Sequence, residues 1–178
     1  FWRGRSSLEI DRVKADQIGM LGTVMNCLYV SEIFRGLGLE TSVYTPYAIG
    51  LYTEVFNKDK AVRDLEHGKV VLFAGGTGHP FFSTDMGTAL RAATDCDIIL
   101  MAKSVDGVYD ADPAVNPQAR KYDTLSYQEL LAKGLKVIDL PAAAFCMENK
   151  IPIRLFALKE KGSILRAVGG EKIGTTIF

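Results

Sequence analysis

Two stretches hold residue types whose spacing suits the handling of phosphate and sugar groups. The first is Gly75-Gly76-Thr77-Gly78-His79-Pro80-Phe81-Phe82-Ser83-Thr84-Asp85. Three glycines let the backbone approach a ligand closely and turn N–H groups toward an anion. Thr77, Ser83 and Thr84 add hydroxyls, and a helix beginning near Asp85 would present its positive end. Such an assembly grips a phosphate without a lysine. The same residues also read as a glycine turn followed by an N-cap at Ser83 or Thr84, and both readings stand. His79 alone reads as a loop residue. Phe81 and Phe82, adjacent in a glycine-rich loop, cannot both face one core, which leaves one for a pocket wall.

The second stretch is Lys103-Ser104-Val105-Asp106-Gly107-Val108-Tyr109-Asp110-Ala111-Asp112-Pro113. Lys103, just after a strand, suits a polyphosphate, and Tyr109 suits a base. Asp112 suits sugar hydroxyls or a metal ion. A solvated Asp-Gly turn explains these few residues equally well. Neither stretch is a Walker A motif, and no G-x-G-x-x-G opens a helix. With two histidines in the chain, no Ser-His-Asp or Cys-His constellation is apparent. Cys27, Cys96 and Cys146 form no C-x-x-C pair, so neither a zinc ribbon nor a redox dithiol is encoded. All three are expected as small buried hydrophobes in a reducing cytosol.

The elements that would position these loops follow from periodicity and punctuation. A helix is expected over 16–36, with Ile18, Leu21, Met25, Leu28 and Ile33 on its buried stripe and Gly36 and Gly38 as the stop. Leu39–Tyr44 reads as a strand, 58–67 as a polar helix ended by Gly68, and Lys69–Ala74 as a central parallel strand. A helix over 85–93 and a strand over 97–101 follow, then turns through 102–123. Ser126-Tyr127-Gln128-Glu129 is a capping box. A helix over 141–149, a strand over 153–157, a helix near 163–168 and a strand over 174–178 complete the chain. Strands alternating with helices predict an α/β fold: a three-layer αβα sandwich around a mostly parallel sheet. In such sheets ligands sit beyond the carboxyl ends of the strands, where both loops begin.

Composition bounds the partners. The chain has 178 residues, 48% of them hydrophobic, and 21 basic residues balance 21 acidic ones. That balance suits a folded domain and argues against a nucleic-acid partner. No apolar run reaches the roughly 18 residues of a membrane span, and no basic-then-apolar leader opens the chain. The expectation is therefore a cytoplasmic protein without a membrane partner. The opening Phe1-Trp2-Arg3-Gly4 reads as the middle of a longer polypeptide, so 1–178 is expected to be one domain lacking its N-terminal portion.

At these spacings the two loops together resemble the bacterial-type UMP kinases of the amino-acid kinase superfamily. Further marks are Arg3-Gly4, Ala15-Asp16-Gln17-Ile18-Gly19-Met20-Leu21, Gly134-Leu135-Lys136-Val137-Ile138-Asp139 and Gly170-Glu171-Lys172-Ile173-Gly174-Thr175. The resemblance implies transfer of the ATP γ-phosphoryl group to UMP, giving UDP and ADP in pyrimidine nucleotide synthesis. It implies a UMP site of Asp16, Thr77, Gly78, His79, Pro80, Phe81, Phe82, Ser83 and Thr84, with Asp16 on the sugar. Arg3 would reach the phosphates of both substrates, and Lys103, Tyr109 and Asp112 would belong to the ATP site. Asp97 would organise the charged catalytic groups. Mg²⁺ would accompany ATP, without a dedicated protein metal site. A homohexamer, activated by GTP and inhibited by UTP, is also implied. The family's K-x-SG strand and its glycine loop before Phe1 are missing, so a polypeptide of these 178 residues alone is expected to be inactive.

Overall fold

Asp11 opens the first helix, its carboxylate accepting the Lys14 N–H at 3.2 Å. The computed structural model describes residues 10–178, so Arg3 lies outside the described residues. These residues form two units that divide between Thr94 and Asp95.

In the first unit, α1 (Arg12–Gly36) runs into β1 (Thr41–Thr45), which pairs in parallel with β2 (Glu54–Val55) and β3 (Val70–Phe73). Strand order is β2-β1-β3. The polar helix is α2 (Lys58–Glu66), capped by Asn57 and closed by Gly68 at φ 77°, as its sequence predicts. The apolar run in β3 predicts the central strand, yet β1 is central among the described strands and β3 is only half-buried. Every residue of β1 is buried despite its Thr-Ser-Val-Tyr-Thr composition. Hydrogen bonds make that burial tolerable. Ser31 Oγ lies 2.7 Å from Thr41 Oγ1, Tyr44 donates to Asp64 Oδ2 at 2.7 Å, and Thr45 donates to the Tyr47 carbonyl at 2.8 Å. Tyr44 also stacks on Phe73, and the Arg91 guanidinium lies 4.0 Å above the Phe56 ring.

The buried stripe expected for α1 is corrected. Leu21, Met25 and Ile33 are exposed, whereas Ala15, Asp16, Met20, Val24 and Ser31 are buried. Hydrogen bonds with the Phe81 N–H and with Thr41 Oγ1 make the buried Asp16 and Ser31 tolerable, and Leu21, Met25, Tyr29 and Ile33 form an outward ridge.

The helix α3 (Thr84–Asp95) leads to the second unit. There β4 (Ile99–Lys103), β5 (Thr124–Leu125), α4 (Tyr127–Ala132), α5 (Leu140–Glu148), β6 (Ile153–Ala157), α6 (Ser163–Val168) and β7 (Thr175–Ile177) follow in chain order. The strand order is β4-β6-β7-β5. Pairing is parallel for β4 with β6 and for β5 with β7, and antiparallel for β6 with β7. The α/β class and the predominance of parallel pairs agree with the expectation. Leu125, Tyr127, Leu130, Ile153, Leu155 and Ile177 are fully buried, and the Tyr127 hydroxyl donates to the Ile151 carbonyl at 2.6 Å. Gly174, at φ 72°, lies where a Cβ would collide with the Leu155 carbonyl, so only glycine fits. Of the cysteines expected inside, Cys146 is buried and Cys27 half-buried, but Cys96 is exposed because it falls in the turn between α3 and β4. No helix among the described residues is long and apolar enough to cross a membrane.

Candidate functional site

A cleft of about 370 Å³ opens in the first unit between α1 and the loop that leaves β3. From α1 come Asp16, Gly19, Met20 and Thr23, at helical spacings i, i+3, i+4 and i+7 that place them on one face. From the loop come Gly76, Thr77, Phe82, Ser83 and Thr84. The cleft therefore lies at the carboxyl end of a parallel strand and at the N-terminus of the twelve-residue helix α3.

The loop's shape is locally determined. Gly78 adopts φ 81°, and a Cβ there would lie 2.7 Å from Pro46 Cβ, so the turn rests against the end of β1 without room for a side chain. Gly78 N–H donates to the Gly75 carbonyl at 3.0 Å, and His79 N–H donates to Thr77 Oγ1 at 3.1 Å. Ser83 caps α3, its hydroxyl accepting the Met86 N–H at 3.0 Å. Ser83 thus caps α3 and also lines the cleft. Thr23 fastens the base of the loop by accepting the Gly75 N–H at 2.8 Å while donating to the Met20 carbonyl at 2.6 Å. Asp16 fastens its tip: Oδ2 accepts the Phe81 N–H at 2.7 Å. Phe81 stands at φ 73°, a conformation that costs a bulky residue energy.

Of the residues predicted for this site, Asp16, Thr77, Phe82, Ser83 and Thr84 line the cleft. Gly78, His79, Pro80 and Phe81 shape the loop without lining it. Gly76, one of the glycines read as approaching a ligand, is also a wall, and sequence reading missed Ala15, Gly19, Met20 and Thr23. The helical spacing from Asp16 would have found three of them.

A second cleft, of about 630 Å³, lies within the second unit where the chain leaves β4. Ser104 to Gly107, Tyr109 and Ala111 to Pro113 form one side, and Gly134 to Val137 form another. The Tyr109 hydroxyl donates to Asp106 Oδ1 at 2.9 Å, while Lys121 Nζ lies 3.2 Å from Asp106 Oδ2. Partial burial works against the Asp106 charge, but these two donors outweigh it and hold its carboxyl below the ordinary range. The bond to Asp106 in turn raises the Tyr109 hydroxyl above its usual value. Asp112 accepts the Ala114 N–H at 2.9 Å. Tyr109 and Asp112 thus share a cleft as expected, whereas Lys103 closes β4 without lining it. Asp97 is exposed and precedes β4, at the end opposite Lys103. It lines neither cleft. Among the described residues no three His, Cys, Asp or Glu side chains converge to hold a metal ion.

Residues 3–157 match the model of the amino acid kinase family. This chain belongs to the amino acid kinase family. Three solved structures are similar to this kinase-family chain. A UMP kinase from Bacillus anthracis superposes with a TM-score of 0.91 at 36% identity, over 94% of this chain and 70% of the other. A UMP kinase from Ureaplasma parvum gives 0.92 at 34% identity, over 98% and 77%. A uridylate kinase from Archaeoglobus fulgidus gives 0.70 at 30% identity, over 96% and 75%. In this amino acid kinase, both clefts begin where β3 and β4 end, the placement that the parallel sheet predicts for ligands.

Proposed function

We propose that the chain is a UMP kinase, transferring the γ-phosphoryl group of ATP to UMP to give UDP and ADP. The observation that carries this reading is the first cleft. Loop backbone, hydroxyls and a helix N-terminus face the α1 stripe there, in a chain 36% and 34% identical to two UMP kinases. In this reading the Gly76–Thr84 loop cradles UMP, with Thr77 and Thr84 bonding to the nucleotide and Asp16 meeting the sugar. The second cleft seats ATP, with Tyr109 against the base and Asp112 near the ribose. Lys103 and Arg3 meet phosphates, and Asp97 keeps the role that the resemblance gives it, without support from its position. The family match spans the division at Thr94, which supports reading both units as one kinase domain.

The chemistry asks little of side-chain bases. The acceptor is a phosphate oxygen already ionised at neutral pH, so no group needs to remove a proton. The work is positioning two anions and neutralising their charge. Backbone N–H groups and the α3 terminus stabilise negative charge on UMP, and Asp85 in that first turn tempers their field. Mg²⁺ belongs to the co-substrate, carried on the ATP phosphates, which suits a cation that keeps its waters and takes one or two carboxylates.

The same reading places the protein in the cytoplasm, in pyrimidine nucleotide synthesis, as a homohexamer responding to GTP and UTP. The apolar ridge of Leu21, Met25, Tyr29 and Ile33 along α1 supports a subunit contact. Titration calorimetry tests the substrate assignment. Saturable binding of UMP well ahead of CMP is expected. Equal binding of glutamate or aspartate, or none of UMP, would point to another member of the family.

A further inference from the structure

Phe81 is the bulky residue of the loop held at positive φ, and it is 58% exposed, so core packing does not hold it there. What does hold it comes from the first turn and a half of α1. Its N–H donates to Asp16 Oδ2 at 2.7 Å. The Arg12 guanidinium lies over its ring, 4.6 Å from the centroid, and Arg12 Nε stands 4.0 Å from the same Asp16 oxygen. Arg12 and Asp16 are four residues apart on one helical face, so ring, guanidinium and carboxylate close a triangle around one backbone amide.

We propose that Arg12 is a positioning residue for the nucleotide monophosphate, keeping Phe81 in its left-handed conformation and thereby the Gly75–Thr84 loop in its binding shape. Phe82, Ser83 and Thr84 follow directly and line the cleft, so a Phe81 that relaxes to negative φ re-aims all three. Asp16 lines the cleft itself and has a second duty there, whereas Arg12 lies outside the walls and acts only through Phe81 and Asp16. The guanidinium suits this role because its flat face covers the ring while its Nε edge turns to the carboxylate. The proposal rests on the UMP reading for its ligand but not for the clasp.

The test separates the two. Amide hydrogen exchange of the nucleotide-free chain is compared for wild type, Arg12→Ala, Phe81→Gly and the double variant. UMP affinity is then measured for each by calorimetry. Arg12→Ala is expected to speed exchange at Phe81 to Thr84 and to weaken UMP by roughly two- to fivefold, the factor an exposed cation–π contact supplies. Its melting temperature should stay near wild type, since the Arg12 side chain is 53% exposed. With glycine at 81 the conformation carries no steric cost and the ring is gone, leaving only the Arg12–Asp16 contact, so adding Arg12→Ala should change both readings less than it does in the wild type. Unaltered exchange in Arg12→Ala would overturn the clasp. Faster exchange with unaltered UMP affinity, or an equal Arg12→Ala effect in the glycine background, would overturn its positioning role. A wild-type chain that binds no UMP would remove the substrate reading, and the exchange data alone would then decide the clasp.

Discussion

A single methyl group at residue 87 should separate the stability of the fold from the shape of the site. Gly87 is buried in α3, where replacing glycine by alanine ordinarily stabilises a helix by about 0.5–1 kcal/mol. Its added Cβ, however, would lie 3.1 Å from the Gly76 carbonyl carbon, 3.2 Å from Gly76 Cα and 3.4 Å from the Thr77 nitrogen. All three are backbone atoms of the loop, and ordinary carbon contacts lie at about 3.5–4.0 Å. The loop must therefore retreat by a few tenths of an ångström, at a cost similar to the helical gain. Gly87→Ala should melt within about 2 °C of wild type, because a net change below about 0.5 kcal/mol moves a chain of this size no further. Binding should respond more, since Gly76 and Thr77 sit in the cleft wall. Spoiling one hydrogen bond worth about 0.5–1.5 kcal/mol weakens UMP roughly two- to twelvefold. Thermal melts and UMP calorimetry on the same samples measure both. A variant that binds UMP like wild type, or melts more than 5 °C lower, would refute the reasoning.

Three further outcomes follow from the same geometry. Asp64 is buried, and hydrogen bonds from Tyr44 and then Ser42 hold its carboxyl well below the usual range, with Lys69 Nζ at 3.0 Å adding to them. Its stabilisation is complete above the unfolded carboxylate value of about 3.9 and is lost as pH falls below it. Asp64→Asn should therefore cost about 2 kcal/mol in urea unfolding at pH 7, and the gap should narrow toward pH 3. In the same variant the Tyr44 hydroxyl, pushed up to about 12 by burial and then by Asp64, should titrate lower by carbon-13 NMR while staying above 10. Gly174→Ala should destabilise the second unit by about 3 kcal/mol through its positive φ and the Leu155 carbonyl, read by hydrogen exchange in β6 and β7. Tyr109→Ala should weaken ATP about tenfold and Tyr109→Phe less than threefold, because the ring carries the stacking and the hydroxyl only its anchoring to Asp106.

What the sequence reveals is local chemistry. Ser126 capping Glu129, Gly68 ending α2 and the bounds of α6 depend on neighbouring residues, and each stands as read. The Gly75–Thr84 loop is legible for the same reason, since its turns and caps are written in its own glycines and hydroxyls. The burial of α1 is not. Its inward face is carried by Ala15, Asp16, Met20, Val24 and Ser31, and what makes Asp16 and Ser31 acceptable inside are partners 65 and ten residues away. Hydrophobic periodicity instead marks the outward ridge. The all-buried β1 is hidden similarly, because Thr41, Tyr44 and Thr45 are satisfied by partners on α1, α2 and the turn after β1. The antiparallel pairing of β7 with β6 also escapes pattern reading, since a strand's direction is set by the path of its connection. Asp97 is matched by motif alone: the strand read over 97–101 puts it at the start of β4, where the structure also has it, and away from both clefts.

The most direct test of a uridylate cleft between α1 and the glycine loop is a two-dimensional NMR titration of the nitrogen-15-labelled chain with UMP. The account predicts that saturating shifts centre on Asp16 to Thr23 and Gly75 to Thr84, leaving Ser104 to Pro113 unchanged until ATP is added. Shifts confined to the second unit, or no shifts with UMP at millimolar concentration, would contradict it.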